Sequence, residues 1–168
     1  MIDKQRALVT NENYINLVND VNNLKYDVNE IKKVLAQSSL TSFICYEGKY
    51  YDGFSFVHKL IRSAKKRVIV IDGYADSSVL DFFIDSQKHV KKIIVCHKRD
   101  RIDSVTLEKF TKQYGDILIK EDKSYHDRFL IIDDDIYLLG VSLNTLGNKT
   151  STITKTNEYK IEEIYKDE

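Results

Sequence analysis

Five polar residues with types and spacing suited to phosphate chemistry lie within one short stretch of the chain. They are His126, Arg128, Asp133, Ser142 and Asn144. A neutral imidazole can act as a nucleophile or carry a proton, and a guanidinium can hold an anion through parallel hydrogen bonds. The stretch therefore predicts a site that binds and attacks a phosphoryl group.

The same stretch has the pattern of a β-hairpin. Residues 125–132 and 136–143 are rich in Ile, Leu, Tyr, Phe and Val, and the three aspartates at 133–135 have turn composition. Because side chains alternate along a strand, we expect His126 and Arg128 to share one face. We expect Asp133 to orient an imidazole or brace the hairpin rather than to react. The alternative is a hairpin in which all of these polar residues are incidental.

Three further candidates follow two predicted buried strands. The runs at 67–71 (RVIVI) and 91–96 (KKIIVC) have the composition of strands buried on both faces of a sheet. Asp72 and Tyr74 follow the first run and His97 follows the second, at the strand ends where open α/β sheets build their sites. Each has a plainer alternative, with Asp72 and Tyr74 as turn and cap residues and His97 in a solvated basic loop.

Composition narrows the possible classes of protein. The 168 residues are enough for one buried domain with an appendage. The 26 basic residues balance 26 acidic ones, so any anion site must be local. No apolar run is long enough to span a membrane and the amino terminus lacks the apolar core of a signal peptide, so we expect a cytoplasmic protein with no membrane attachment. Cys45 and Cys96 are expected as buried free thiols, with a disulfide as the alternative.

A seven-residue repeat near the amino terminus predicts a coiled coil. Its core positions hold Tyr14, Leu17, Val21, Leu24, Val28, Ile31 and Leu35. Opposite charges recur at the spacing that pairs them across a parallel two-stranded coiled coil, as Asp20 with Lys25 and Asp27 with Lys32. The repeat therefore predicts a homodimer. A single amphipathic helix packed on the following domain is the alternative.

The order of predicted elements indicates an α/β fold with a mixed sheet flanked by helices. We assign residues 1–36 to the N-terminal helix, 37–42 to a linker and 43–168 to the α/β domain. The other expected elements are a hairpin over 43–51, helices over 53–66, 79–86 and 104–114, strands over 116–120 and 151–155, and a short helix within 158–168.

The spacing of the candidate residues resembles the H-x-K-x4-D-x6-G-S signature of the phospholipase D superfamily. His126 and Arg128 are followed by four residues to Asp133 and six more to Gly140. The segments GFSFVHKLIRSAKKRVIVIDGYAD, HDRFLIID and GVSLNTLGNK also occur in the order of the phospholipase-D-like C-terminal half of phage antirepressor and virulence proteins of the RhuM type. The resemblance covers about two thirds of the chain.

The sequence departs from this signature at three positions. Arg128 stands where the superfamily usually has lysine, and it cannot place a compact ammonium in the same spot. Val141 follows Gly140 where serine is expected, so Ser142 and Asn144 match G-S-x-N only with one inserted residue. Asp127 adds a negative charge next to the histidine.

The resemblance implies a phosphodiesterase that needs neither a metal nor a cofactor. One histidine attacks phosphorus to form a phosphohistidine, and a second histidine protonates the leaving group and then activates water. Arg128 and Asn144 would hold phosphate oxygens, with Ser142 in support. A chain with one copy of the motif makes such a site across a two-fold axis, so the resemblance also implies a homodimer.

We expect nucleic acid rather than lipid as the substrate. The alternative is a catalytically degenerate module of a phage-type regulator that binds a phosphodiester or nucleic acid without cleaving it.

Overall fold

The computed structural model describes residues 2–38 and 42–166, with side chains described for 11–32 and 42–166. The chain divides into two compact units, Met1–Leu40 and Thr41–Glu168. Half of the expected linker, residues 39–41, lies outside the described residues.

The first unit is one long helix, α1 (Ile2–Ser38). The described side chains of the seven-residue repeat are exposed in the single chain, with Leu24 62% and Ile31 57% accessible. Leu35, the last residue of the repeat, lies outside the described side chains. The helix thus carries the apolar row that defines the repeat, and pairing of two such helices stays a prediction.

The second unit is built on a mixed sheet of seven strands. The strands are β1 (Ser42–Cys45), β2 (Arg67–Ile71), β3 (Lys91–Cys96), β4 (Leu118–Glu121), β5 (Phe129–Ile132), β6 (Asp135–Leu139) and β7 (Ser151–Thr156). They lie in the order β1-β7-β6-β5-β2-β3-β4. The pairs β2–β3 and β3–β4 are parallel and the other neighbours are antiparallel. The predicted mixed sheet is confirmed.

Helices cover both faces of this sheet. The helices α2 (Tyr50–Ser63) and α3 (Ser104–Tyr114), with a 3-10 helix at Ser77–Phe83, lie over the larger apolar cluster. The short helix α4 (Ile161–Ile164) contributes to a smaller cluster on the opposite face. Alternate residues of β2 enter the two clusters, so this strand is buried on both faces, as its sequence predicts.

Several local predictions are wrong in detail. Residues 43–51 do not form a hairpin, because β1 pairs with β7 and α2 begins at Tyr50. The helix expected over 79–86 is the 3-10 helix at Ser77–Phe83, which Asp76 caps. The first strand of the hairpin that follows His126 begins at Phe129 rather than at residue 125. Both cysteines are buried and free, as predicted.

Asp133 occupies the tight turn between β5 and β6, where it adopts a positive φ of 54°. Its carboxylate accepts hydrogen bonds from the backbone amides of Lys65, Lys66 and Arg67, at distances of 2.6–3.1 Å. Burial acts to raise the pKa of Asp133, but these amides outweigh it and hold the pKa below its usual value. The carboxylate therefore ties the hairpin turn to the start of β2.

Replacing Asp133 with alanine should lower the free energy of unfolding by about 2 kcal/mol, because hydrogen bonds to a charged group are lost. Asp133→Asn should cost less, since asparagine keeps one acceptor oxygen and tolerates positive φ. The stabilisation from a depressed pKa is present above the unfolded pKa of about 3.9 and is lost as pH falls through the lower folded pKa. Urea denaturation at pH 7 and pH 3 measures this, and an equal loss in the alanine variant at both pH values would contradict it.

Candidate active site

Most of the candidate residues lie at one end of the sheet. Asp72 follows β2 and His97 follows β3, while Arg128 precedes β5 and Ser142 follows β6. Because β5 runs antiparallel to β2, with Phe129 paired to Ile71, its amino end meets the carboxyl end of β2. Strand polarity therefore brings together residues that are far apart in the sequence.

Asp72 is the centre of this group. Its side chain is fully buried. Its Oδ2 accepts hydrogen bonds from the Ser142 hydroxyl at 2.6 Å and the Leu143 amide at 2.9 Å, and its Oδ1 accepts one from the Tyr74 amide at 3.1 Å. A buried carboxylate with three donors around it fixes two loops against each other. In the sequence, Asp72 is indicated only by its position after a predicted buried strand.

Arg128 is held by the same carboxylate. Its Nε lies 3.5 Å from Oδ1 of Asp72, which is an ion-pair contact and not a hydrogen bond, since the buried Nε has no hydrogen-bond partner. Its guanidinium carbon lies 5.4 Å from the centre of the Tyr74 ring. The guanidinium carbon of Arg101 lies 5.5 Å from the centre of the same ring, and Arg101 donates to the Tyr74 carbonyl. Two guanidinium groups thus contact one tyrosine that is 52% exposed.

Ser142 and Asn144 have their donor hydrogens engaged within the protein. The hydroxyl of Ser142 donates to Asp72. The amide nitrogen of Asn144 donates to the Tyr74 carbonyl at 2.9 Å and to the Asp76 carboxylate at 3.0 Å. Burial acts to raise the pKa of Asp76, but hydrogen bonds from Ser78 and Asn144 outweigh it and lower that pKa. In this arrangement the two residues shape the loop, and phosphate binding by them stays a prediction.

His126 is exposed and lies in a segment, residues 122–128, that belongs to no strand. The strand alternation that put His126 and Arg128 on one face therefore does not apply to them. His97 lies behind this segment, with its Nε2 at 2.8 Å from the Tyr125 carbonyl. Asp133 lies at the other end of β5, about 16 Å along the chain from Arg128. Its contacts are those of a brace, and a catalytic role for it stays a prediction.

An open groove beside this group has a volume of about 450 Å³. Its lining includes Tyr74, Arg101, Arg128, Val141, Asn144 and Thr145. Among the residues that the structure describes, no group of three or more His, Cys, Asp or Glu side chains is placed to hold a metal ion. The groove offers cations and an aromatic ring, a combination that suits an anionic ligand with a flat apolar part.

Comparison with known proteins finds similarity only among solved structures. No protein-family model matches the sequence, and no curated protein sequence matches it. TrmBL2, described as an archaeal chromatin protein with a novel mode of DNA binding, is 14% identical with a TM-score of 0.47, over 83% of this chain and 56% of TrmBL2. NucT from Helicobacter pylori is 12% identical with a TM-score of 0.49, over 70% of this chain and 85% of NucT. The chain thus spans little more than half the length of TrmBL2, and similarity at this level assigns no activity.

Three features of the site escaped sequence reasoning. Arg101 was one of several basic residues after β3, and nothing in the sequence singles it out as the partner of Tyr74. Asp76 holds Asn144 across 68 residues of chain, a pairing that needs the sheet order. Gly73 lies against the ring of His97, and its position in the loop after a buried strand was the one available signal.

Within the described part of the chain, no helix has the length and apolarity to cross a membrane.

Proposed function

We propose that this chain is a metal-independent phosphodiesterase that acts on nucleic acid, with His126 as the attacking group. The observation that carries the proposal is an exposed imidazole two residues before an arginine that is fixed against a buried carboxylate and a tyrosine ring. An exposed imidazole is free to reach phosphorus, while a held guanidinium can meet a phosphate oxygen without first being ordered.

The groove supports nucleic acid as the substrate class. Arg101 and Arg128 place their guanidinium carbons 5.5 and 5.4 Å from the centre of the Tyr74 ring, and Tyr74 is 52% exposed. Phosphates pair with guanidinium groups, and bases stack on tyrosine or on arginine planes. A lipid substrate would instead call for an apolar surface that inserts into a membrane, which the groove lining does not offer.

The proposed reaction needs two imidazoles. A ring nitrogen of His126 attacks phosphorus, a nitrogen–phosphorus bond forms and the bond to the leaving oxygen breaks, while a second imidazole gives that oxygen a proton. The second imidazole then takes a proton from water, and that water displaces the histidine from phosphorus. Attack and departure occur on opposite sides of phosphorus, so one His126 cannot serve both steps. We assign the second imidazole to His126 of a second copy of the chain.

The exposed heptad row of α1 supports a homodimer. Leu24→Glu should therefore convert a dimer to a monomer, because a charge at a core position of a two-stranded coiled coil cannot be buried unpaired. Tyr26→Glu is the matched control, since Tyr26 is 67% exposed and lies off the heptad row. Sedimentation equilibrium at micromolar concentration measures the mass. A monomeric unaltered chain would contradict the proposal. A dimeric Leu24→Glu variant would show that the second unit, and not the heptad row, makes the dimer contact.

Hydrolysis in the presence of EDTA tests the proposed activity directly. The unaltered chain should cleave bis(p-nitrophenyl) phosphate, which has an activated leaving group, and a labelled oligonucleotide, which offers both phosphates for the guanidinium groups and bases for the ring of Tyr74. Quenching a reaction with labelled phosphodiester in alkaline denaturant, in which a nitrogen–phosphorus bond survives, should trap the phosphoryl fragment of the substrate on His126, detected by mass spectrometry. Absence of cleavage of both substrates would overturn the proposal.

A second candidate function is a nucleic-acid-binding module that does not cleave, of the kind found in phage-type regulators. The engaged donors of Ser142 and Asn144 favour it, because they are not free to stabilise a phosphate in the observed arrangement. This function predicts binding that weakens with salt and no turnover. Fluorescence anisotropy with a labelled oligonucleotide, over a series of salt concentrations, separates it from the first.

A further inference from the structure

The segment that carries His126 is held at the neighbouring residue, Tyr125. The Tyr125 carbonyl lies 2.8 Å from Nε2 of His97. The Tyr125 hydroxyl donates to the Ile164 carbonyl at 2.7 Å. Residues 122–128 form no strand. The two contacts of Tyr125 therefore help to hold this segment in place, whereas the strands are held by backbone hydrogen bonds to their neighbours.

His97 is itself fixed in place by the loop after β2. A Cβ on Gly73 would lie only 2.7 Å from Nδ1 of His97, and closer still to other ring atoms, so the ring rests against bare backbone. The His97 amide also donates to the Gly73 carbonyl at 3.2 Å. Because a carbonyl only accepts, the Nε2 of His97 carries the hydrogen in this contact. Gly73 thus leaves room for the ring, and the Tyr125 carbonyl determines which ring nitrogen carries the hydrogen.

The other contact of Tyr125 is anchored by the C-terminal helix. Ile161 and Tyr165 of this segment are buried in the smaller apolar cluster, and Ile164 lies between them in the chain. Burial raises the pKa of the Tyr125 phenol, so the hydroxyl keeps its proton and remains a donor at neutral pH. Tyr125, the residue before His126, is therefore hydrogen-bonded through its carbonyl to His97 and through its hydroxyl to the Ile164 carbonyl of α4.

We propose that His97 is a positioning residue for the reaction assigned to His126. It holds the Tyr125 carbonyl and so fixes the backbone from which the attacking imidazole extends. This inference rests on the proposed function. A nucleophile on a loop free to move would spend most of its time out of reach of phosphorus, and a misplacement of about 1 Å can cost 100-fold in rate.

Three substitutions of His97 test this role. His97→Gln keeps a donor near the position of Nε2, whereas His97→Asn places its donor too far from the carbonyl and His97→Ala removes it. We expect kcat to fall about 10- to 100-fold in the alanine and asparagine variants, with KM changed less than about threefold, and to recover to within about fivefold in the glutamine variant. His89→Ala, at an exposed histidine in the turn before β3, should leave kcat unchanged.

Hydrogen exchange gives a readout that does not depend on turnover. The amides of residues 124–128 should exchange faster in His97→Asn than in His97→Gln or His89→Ala, while those of β2 remain equally protected. Equal kcat and equal exchange in the asparagine and glutamine variants would overturn the positioning role. If the unaltered chain shows no turnover, the proposed function fails, and faster exchange confined to residues 124–128 would still support the hold on this segment.

Discussion

Replacing His126 with alanine should reduce metal-independent hydrolysis of a phosphodiester at least about 1,000-fold, because the bond to phosphorus has no other atom from which to form. The variant should fold normally. His126 is exposed, and surface substitutions of this kind change the free energy of unfolding by less than about 0.5 kcal/mol. The measurement pairs initial rates in EDTA with a thermal melt of the same sample.

The adjacent residue provides a control for this experiment. Asp127 is also exposed, and Asp127→Ala should retain activity or raise it, because it removes a negative charge that repels phosphate. Full activity in the His126→Ala variant in EDTA would remove His126 from the reaction. A stable dimer that has lost activity only in the His126 variant is the outcome that the proposal requires.

Replacing Asp72 with asparagine should have the largest effect on stability of any isosteric change in the site. Asparagine keeps one acceptor oxygen, but its amide group would face donors from Ser142, Leu143 or Tyr74. Arg128 would also lose the carboxylate beside its Nε. Breaking a buried ion pair from one side costs about 3–5 kcal/mol, which corresponds to a fall in Tm of about 10 °C or more for a unit of this size.

Asp100→Asn makes the same chemical change at an exposed site and should leave Tm unchanged. Phosphate binding should weaken only in the Asp72 variant, because Arg128 would no longer be held against Tyr74. If both variants melt at the same temperature, Asp72 does not organise the site.

The strands β2 and β3 could be predicted because their sequences are almost continuous runs of β-branched apolar residues. The runs of Val and Ile in β2 and β3 allow few environments other than a sheet interior, and α3 has both an inward apolar row and a glycine at its end. The start of the hairpin β5–β6 could not be predicted. β2 ends at Ile71, so the residues before Phe129 run past the end of that strand, while on the other side the Arg128 carbonyl still accepts from the Leu139 amide.

The sequence indicates Arg128 and Ser142 by residue type, but it does not show how they are joined. The carboxylate that contacts both, Asp72, lies 70 residues before the serine. Asp133 fell within the motif spacing, and its contacts are nevertheless with the backbone before β2, at the far end of the strand. Spacing along a strand fixes the face of a residue, whereas the strand order decides what lies opposite to it.

The pairing of β1 with β7 bears on how this unit can be made in the cell. The first strand, starting at Ser42, finds its partner only in Ser151–Thr156, and β7 in turn covers the open edge of β6. During synthesis the growing chain must therefore leave β1 and the outer edge of β6 unpaired until residues 151–156 have emerged. A nascent chain stalled before residue 151 should be prone to aggregation or capture by chaperones, whereas emergence of β7 pairs both strands at once.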